Sequence, residues 1–165
     1  MPKHAAPVSL DGHSLTLAQA RTIAEGASVG ISSAARRRVD RARGVVEDFA
    51  SGTMAVYGVN TGFGFLAGTK IDQKELKELQ QNILRSHAAG HGNPLSIEET
   101  RLALALRLNL LIKGFSGVRY ELCELVLKFL EKGIYPVVPE LGSVGASGDL
   151  IPLAHLGLPD RKSVV

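Results

Sequence analysis

Hydrophobic and polar positions along this 165-residue chain recur mostly with the period of a helix, and the stops between periodic runs are explicit. Thr16 followed three residues later by Gln19 has the form of a capping box, and 17–26 then reads as a short helix with Gly26 as its stop. Ser32 or Ser33 can cap a second helix running to about Ala50, with Val39, Ala42, Val46 and Phe49 on one stripe. Asp72 with Glu75 forms another capping box, opening a helix through Leu76, Leu79, Ile83, Leu84 and His87 that stops at Gly90. Ser96 with Glu99 opens a fourth, over 100–112. There Leu102, Leu104, Leu106, Leu108 and Leu110 alternate as in a strand, but Ala, Leu and Arg are strong helix formers and the cap decides for helix. A fifth spans 118–132, with Lys128 and Lys132 near its negative end and Gly133 beyond it. Asp149 is placed as the N-cap of a final helix with Pro152 in its first turn, where Leu156 continues the apolar face and Pro159 interrupts it. Strand signals are brief: 8–10 at best, and 54–59, while Asn93-Pro94 reads as a turn and Pro136 with Pro139 as extended chain. The predicted class is mainly α with a few short strands.

Composition sharpens this. Trp is absent and aromatics make up 5%, which leaves the core to Leu, Val, Ile and Ala. The lone Cys123, between Leu122 and Leu125, excludes a disulfide scaffold and reads as a small buried hydrophobe. The first ten residues lack the basic region and apolar run of a signal peptide, and the longest apolar stretch, 102–112, is shorter than the roughly 20 residues that span a bilayer. A cytoplasmic protein with no membrane partner is expected. Net charge of +3 does not call for a polyanion. Arg36, Arg37, Arg38, Arg41 and Arg43 wrap around a helix with no interleaved aromatic, so they read as a solvated face or subunit contact rather than a nucleic-acid surface.

Three segments combine glycine with residues that can do chemistry: 57–64, 86–92 and 142–149. The first contains a formal G-x-G-x-x-[GA] match over 62–67, but no helix opens at its third small residue and no acid stands near Gln81 and Asn82, so it is not a dinucleotide site. His87 and His91 lie four apart but lack the accompanying ligands of a metal motif. The third lacks the Lys-Ser/Thr ending of a P-loop, while Gly142, Gly145 and Gly148 before a helix could form an anion nest.

These segments together resemble the histidine and aromatic amino-acid ammonia-lyases, and most closely the histidine ammonia-lyases. The matching residues are Tyr57-Gly58-Val59-Asn60-Thr61-Gly62-Phe63-Gly64; Leu79-Gln80-Gln81-Asn82 with Ser86-His87-Ala88-Ala89-Gly90; Gly114-Phe115-Ser116-Gly117-Val118-Arg119; and Pro136-Val137-Val138-Pro139 with Gly142-Ser143-Val144-Gly145-Ala146-Ser147-Gly148-Asp149-Leu150. The resemblance implies the helical ammonia-lyase fold, akin to fumarase and aspartase. It also implies that Ala146, Ser147 and Gly148 cyclise to the electrophile 4-methylidene-imidazol-5-one, with no metal. Tyr57 matches the family's base, which removes a β-proton; an ordinary tyrosine titrates near pH 10, so such a base needs its phenolate stabilised. His87, Asn60 and Gly64 match substrate-binding positions, His87 that which recognises an imidazole, and Asp149 a supporting one. The implied reaction is elimination of ammonia from L-histidine to give trans-urocanate, in histidine catabolism, by a homotetramer. The other readings are a phenylalanine or tyrosine ammonia-lyase or aminomutase, and a catalytically inactive truncated chain.

Family members are several times longer and continue into a helical bundle. The expectation is therefore an N-terminal lyase region over 1–158, an atypical end over 159–165, and no downstream bundle, with the leucine-rich 102–112 face left exposed.

Overall fold

A computed structural model describes residues 7–62, 64, 68, 69 and 71–160, the side chains of 73, 74, 76, 77 and 160 excepted. The predicted stripe residue Leu76, the middle of the G-x-G-x-x-[GA] match, Phe63 and most of the atypical end therefore lie outside the described side chains or residues. The chain divides into two compact units, Met1–Gly44 with Leu95–Tyr135, and Val45–Pro94 with Pro136–Val165.

In the first unit, β1 (Val8–Leu10) pairs in parallel with β2 (Val29–Ile31), Val8 opposite Val29. The second strand has no sequence signal of its own; three residues with a glycine in the middle are too few to show a period. Between them α1 (Leu17–Ala24) opens with both bonds of the predicted capping box at Thr16 and Gln19. Helix α2 (Ser33–Ser51) starts in this unit and buries Ala35 and Val39. Helix α4 (Ile97–Leu111) closes its Ser96–Glu99 box as read. It turns Thr100, Arg101, Leu104, Ala105, Leu108 and Leu111 inward, a spacing of three and four that settles the strand-or-helix ambiguity. The expectation that the 102–112 face lies bare is corrected: α1 and α5 (Tyr120–Lys132) of the same unit pack on it, and only its outer leucines, Leu106 and Leu110, are exposed. Helix α5 ends at Gly133, whose left-handed backbone (φ +65°) supplies the stop. Of the arginine group, Arg36 lies 4.7 Å from the Tyr120 ring centroid, and Arg38 donates to the Asp11 and Ile112 carbonyls.

The second unit is built from α3 (Gln73–His87), α6 (Leu150–Gly157) and an antiparallel ribbon of β3 (His91–Pro94) and β4 (Pro139–Leu141). Helices α3 and α6 pack together, Leu84 lying against Gly157. Three readings are corrected here. Asn93-Pro94 is not a turn but part of β3, because its partner strand arrives from far along the chain. Residues 54–59 form no strand but irregular chain running into a turn at 57–60: the Val56 amide goes to the Asn60 side chain, and the Val56 carbonyl accepts from the Val59 and Asn60 amides. The box at Asp72 and Glu75 does not close. Asp72 holds the N-cap position, but its side chain makes no capping bond and only its backbone carbonyl meets the Glu75 amide.

Candidate active site

All the site residues read from the sequence fall in the second unit. Tyr57 opens a turn that Asn60 holds together from inside. Asn60 is 1% exposed; its Oδ1 accepts from the Val56 amide at 2.8 Å, and its Nδ2 donates to the carbonyls of Met54 (3.0 Å) and Phe49 (3.2 Å). An amide has two donors and one acceptor oxygen, so both donors are committed to backbone and Asn60 supports the Tyr57 turn directly. The Tyr57 ring itself is exposed. Beyond it the loop is closed by the Gly62 amide on the Thr69 carbonyl and the Ile71 amide on the Asn60 carbonyl. Gly64, exposed and with φ +57°, sits within that loop, and a Cβ there would meet nothing within 4 Å.

His87 is the last residue of α3 and half-buried. Its Nδ1 lies 2.8 Å from the Ile83 carbonyl oxygen and 3.1 Å from Ser86 Oγ. A carbonyl only accepts, so Nδ1 carries a proton, and that bond orients the ring. His91, by contrast, is exposed at the start of β3; no group of three metal-ligating side chains occurs among the described residues.

The third segment begins where β4 ends. Gly145–Ser147 is a single tight helical turn, followed by Gly148 at φ +86° and Asp149 at φ +54°, the one non-glycine residue of positive φ among those described. The Val144 carbonyl accepts from the Ser147 amide (3.0 Å), the Ser147 hydroxyl (2.8 Å) and the Asp149 amide (3.2 Å), while the Gly148 amide goes to the Gly145 carbonyl. The amides of Ser147, Gly148 and Asp149 are thus engaged within the turn. Asp149 occupies the predicted N-cap of α6, but its carboxylate makes no cap; it accepts from Ser143 Oγ at 2.5 Å and closes the segment on itself.

The ribbon brings the second and third segments together. His91 pairs with Leu141, so the preceding Gly90 meets the following Gly142: a Cβ on Gly142 would lie 3.3 Å from Gly90 Cα. At Gly142 the space a side chain would need is taken by Ile151 and the Gly90 backbone, and at Gly90 by the side chains of His155 and Pro139. The Tyr57 turn belongs to the same unit but to a separate piece of chain. The residue that sequence reading passed over is His155, which accepts the Gly90 amide at Nε2. Its signal was a histidine four residues after Ile151 on a short helix that is otherwise apolar.

The aromatic amino acid lyase family model matches residues 15–159. Histidine ammonia-lyase of Anaeromyxobacter dehalogenans is 53% identical over 150 residues, 90% of this chain and 30% of that protein. Among solved structures, histidine ammonia-lyase from Trypanosoma cruzi is 42% identical with a TM-score of 0.84, covering 93% of this chain and 29% of that one. Tyrosine aminomutase from Streptomyces globisporus is 38% identical with a TM-score of 0.86, covering 92% and 28%. The chain spans about 30% of the length of the curated relatives it matches. With a match running through all three glycine-bearing segments, the chain belongs to the aromatic amino acid lyase family.

Proposed function

We propose that this chain supplies one part of a histidine ammonia-lyase site, which eliminates ammonia from L-histidine to give trans-urocanate. The observation that carries the reading is the ribbon register. It sets the segment ending in Gly90, with His87 three residues before it, against the one that starts at Gly142 and holds Ala146, Ser147 and Gly148. The curated relatives at 44–53% identity all bear the name histidine ammonia-lyase, which favours histidine over the tyrosine of the aminomutase relative.

The tripeptide fits 4-methylidene-imidazol-5-one. Ala146 and Ser147 lie in a tight turn, Ala146 adds little bulk, Ser147 carries a departing hydroxyl, and Gly148 has no side chain to hinder its nitrogen. Joining the Gly148 nitrogen to the Ala146 carbonyl carbon releases one water; loss of the Ser147 hydroxyl with its Cα hydrogen releases a second. Once formed, the group supplies an electrophile for an amino group. Tyr57, as its phenolate, takes the substrate's β-proton at its phenolic oxygen, and His87 accepts from the substrate imidazole at Nε2. Gly64 leaves its backbone open to substrate, while Asn60 and Asp149 hold the Tyr57 turn and the tripeptide. In this reading the working protein is a cytoplasmic homotetramer of histidine breakdown, using no metal, nucleic acid or membrane.

The test is the intact mass. The chain is expected to weigh two waters less than its sequence, and Ser147→Ala, which cannot form the methylidene, is expected not to show that loss. An unmodified wild-type mass, or the same loss in Ser147→Ala, overturns the reading.

A further inference from the structure

Helix α6 carries a side chain that the proposed chemistry does not use. His155 Nε2 lies 3.1 Å from the Gly90 nitrogen, 65 residues away in sequence. A backbone N–H can only donate, so Nε2 holds the lone pair and the ring proton sits on Nδ1. The approach is tight: a Cβ on Gly90 would lie 3.0 Å from that same Nε2 and from Pro139, so a side chain there would have to push one of them aside. One turn earlier on the same face of α6, Ile151 presses on Gly142, where a Cβ would stand 2.9 Å from Ile151 Cγ2. One helix face thus bears on the residue that ends the His87 segment and on the residue that begins the tripeptide segment. An apolar side chain at 155 could fill the space, but it would leave the Gly90 amide without its acceptor.

We infer that His155 is a positioning residue: through its Nε2 it fixes 87–90 against the helix that follows Ala146–Ser147–Gly148, and so sets where His87 stands relative to the tripeptide. The inference rests on the reading of His87 as the imidazole-recognising residue. What it adds is the group that holds His87 in place.

The test uses the full 165-residue chain labelled with 15N, in four forms: wild type, His155→Gln, His155→Leu and Gly90→Ala. In the wild type the His155 ring should show an unprotonated Nε2 and a protonated Nδ1; the reverse tautomer overturns the inference. His155→Leu should speed hydrogen exchange at the Gly90 amide by about tenfold, the worth of one net hydrogen bond, and displace the His87 ring resonances. His155→Gln, whose Oε1 accepts as Nε2 does, should restore both, and Gly90→Ala should displace the His87 resonances as leucine does. Unchanged Gly90 exchange in His155→Leu, or equal displacement by glutamine and leucine, overturns the inference. Should the leucine variant not fold, a glutamine variant displaced like Gly90→Ala overturns it and an undisplaced one supports it. None of these readings requires substrate or turnover. Separately, His87 resonances that ignore added L-histidine in the wild type count against the substrate reading alone.

Discussion

Arg101 stands on the inward stripe of α4 and is 6% exposed, yet every acceptor it meets is a neutral oxygen. Its guanidinium donates to the carbonyls of Ile23 (2.7 Å), Ala27 (2.6 Å) and Leu130 (2.9 Å) and to the Tyr135 hydroxyl (2.6 Å). Ile23 and Leu130 lie in the last turns of α1 and α5, where carbonyls run out of helical partners and the helix dipole is negative. One planar fork therefore ties α4 to the ends of two other helices. Arg101→Met is expected to cost roughly 3 kcal/mol or more in urea unfolding, because several buried acceptors lose their donor together. Lysine should not rescue it, since a point charge cannot span four spread acceptors. Cys123 makes a second residue-scale prediction. Burial pushes its thiol up from the ordinary 9.0 to about 11. The folded state therefore keeps a proton that the unfolded chain releases, so the contribution is fully present below about pH 9 and is lost as pH rises toward 11. The urea midpoint of the wild type should fall across that window more steeply than that of Cys123→Ala; parallel curves would contradict the burial of the thiol.

At the scale of elements, the two closed capping boxes and the unclosed one give a matched comparison. Ser96→Ala removes a side-chain acceptor from the Glu99 amide and should cost about 1 kcal/mol. Asp72→Ala removes only a charge near a helix start and should cost a few tenths. Equal losses in thermal or urea unfolding would contradict the geometry at one of the two ends. The same contrast explains how much of the fold was legible. Helix starts at Thr16 and Ser96 and the stop at Gly133 depend on neighbours within four residues, so they can be read from a string. The failed strand at 54–59 depends on one side chain, Asn60, taking an amide that a sheet would need. Strand β2 and the ribbon depend on partners far along the chain, and no local period announces them. At the site, residue types were legible and their meeting was not. The sequence marked the glycines at 90 and 142, but only the fold shows what each makes room for: Pro139 and His155 at Gly90, Ile151 and the Gly90 backbone at Gly142. Arg101 was readable in principle, as a charge at the 101, 104, 108, 111 spacing of a buried stripe.

For the whole molecule the governing fact is coverage. Tyr57, Ala146, Ser147, Gly148 and Asp149 are all exposed, and elimination chemistry needs water kept from the reacting atoms. The remaining length of the relatives has room to supply that cover. A polypeptide limited to these 165 residues is thus expected to give negligible turnover; growth of urocanate's ultraviolet absorbance after adding L-histidine would refute this. No helix among the described residues is long and apolar enough to cross a membrane. The ribbon also has a consequence in time. Its side-chain tie from Asn93 to Glu140 joins residues 47 apart, and a closure of that span forms later than a helix turn or a cap. Helices α3 and α6 are therefore expected to form before the ribbon sets the 86–92 segment against the 142–149 segment.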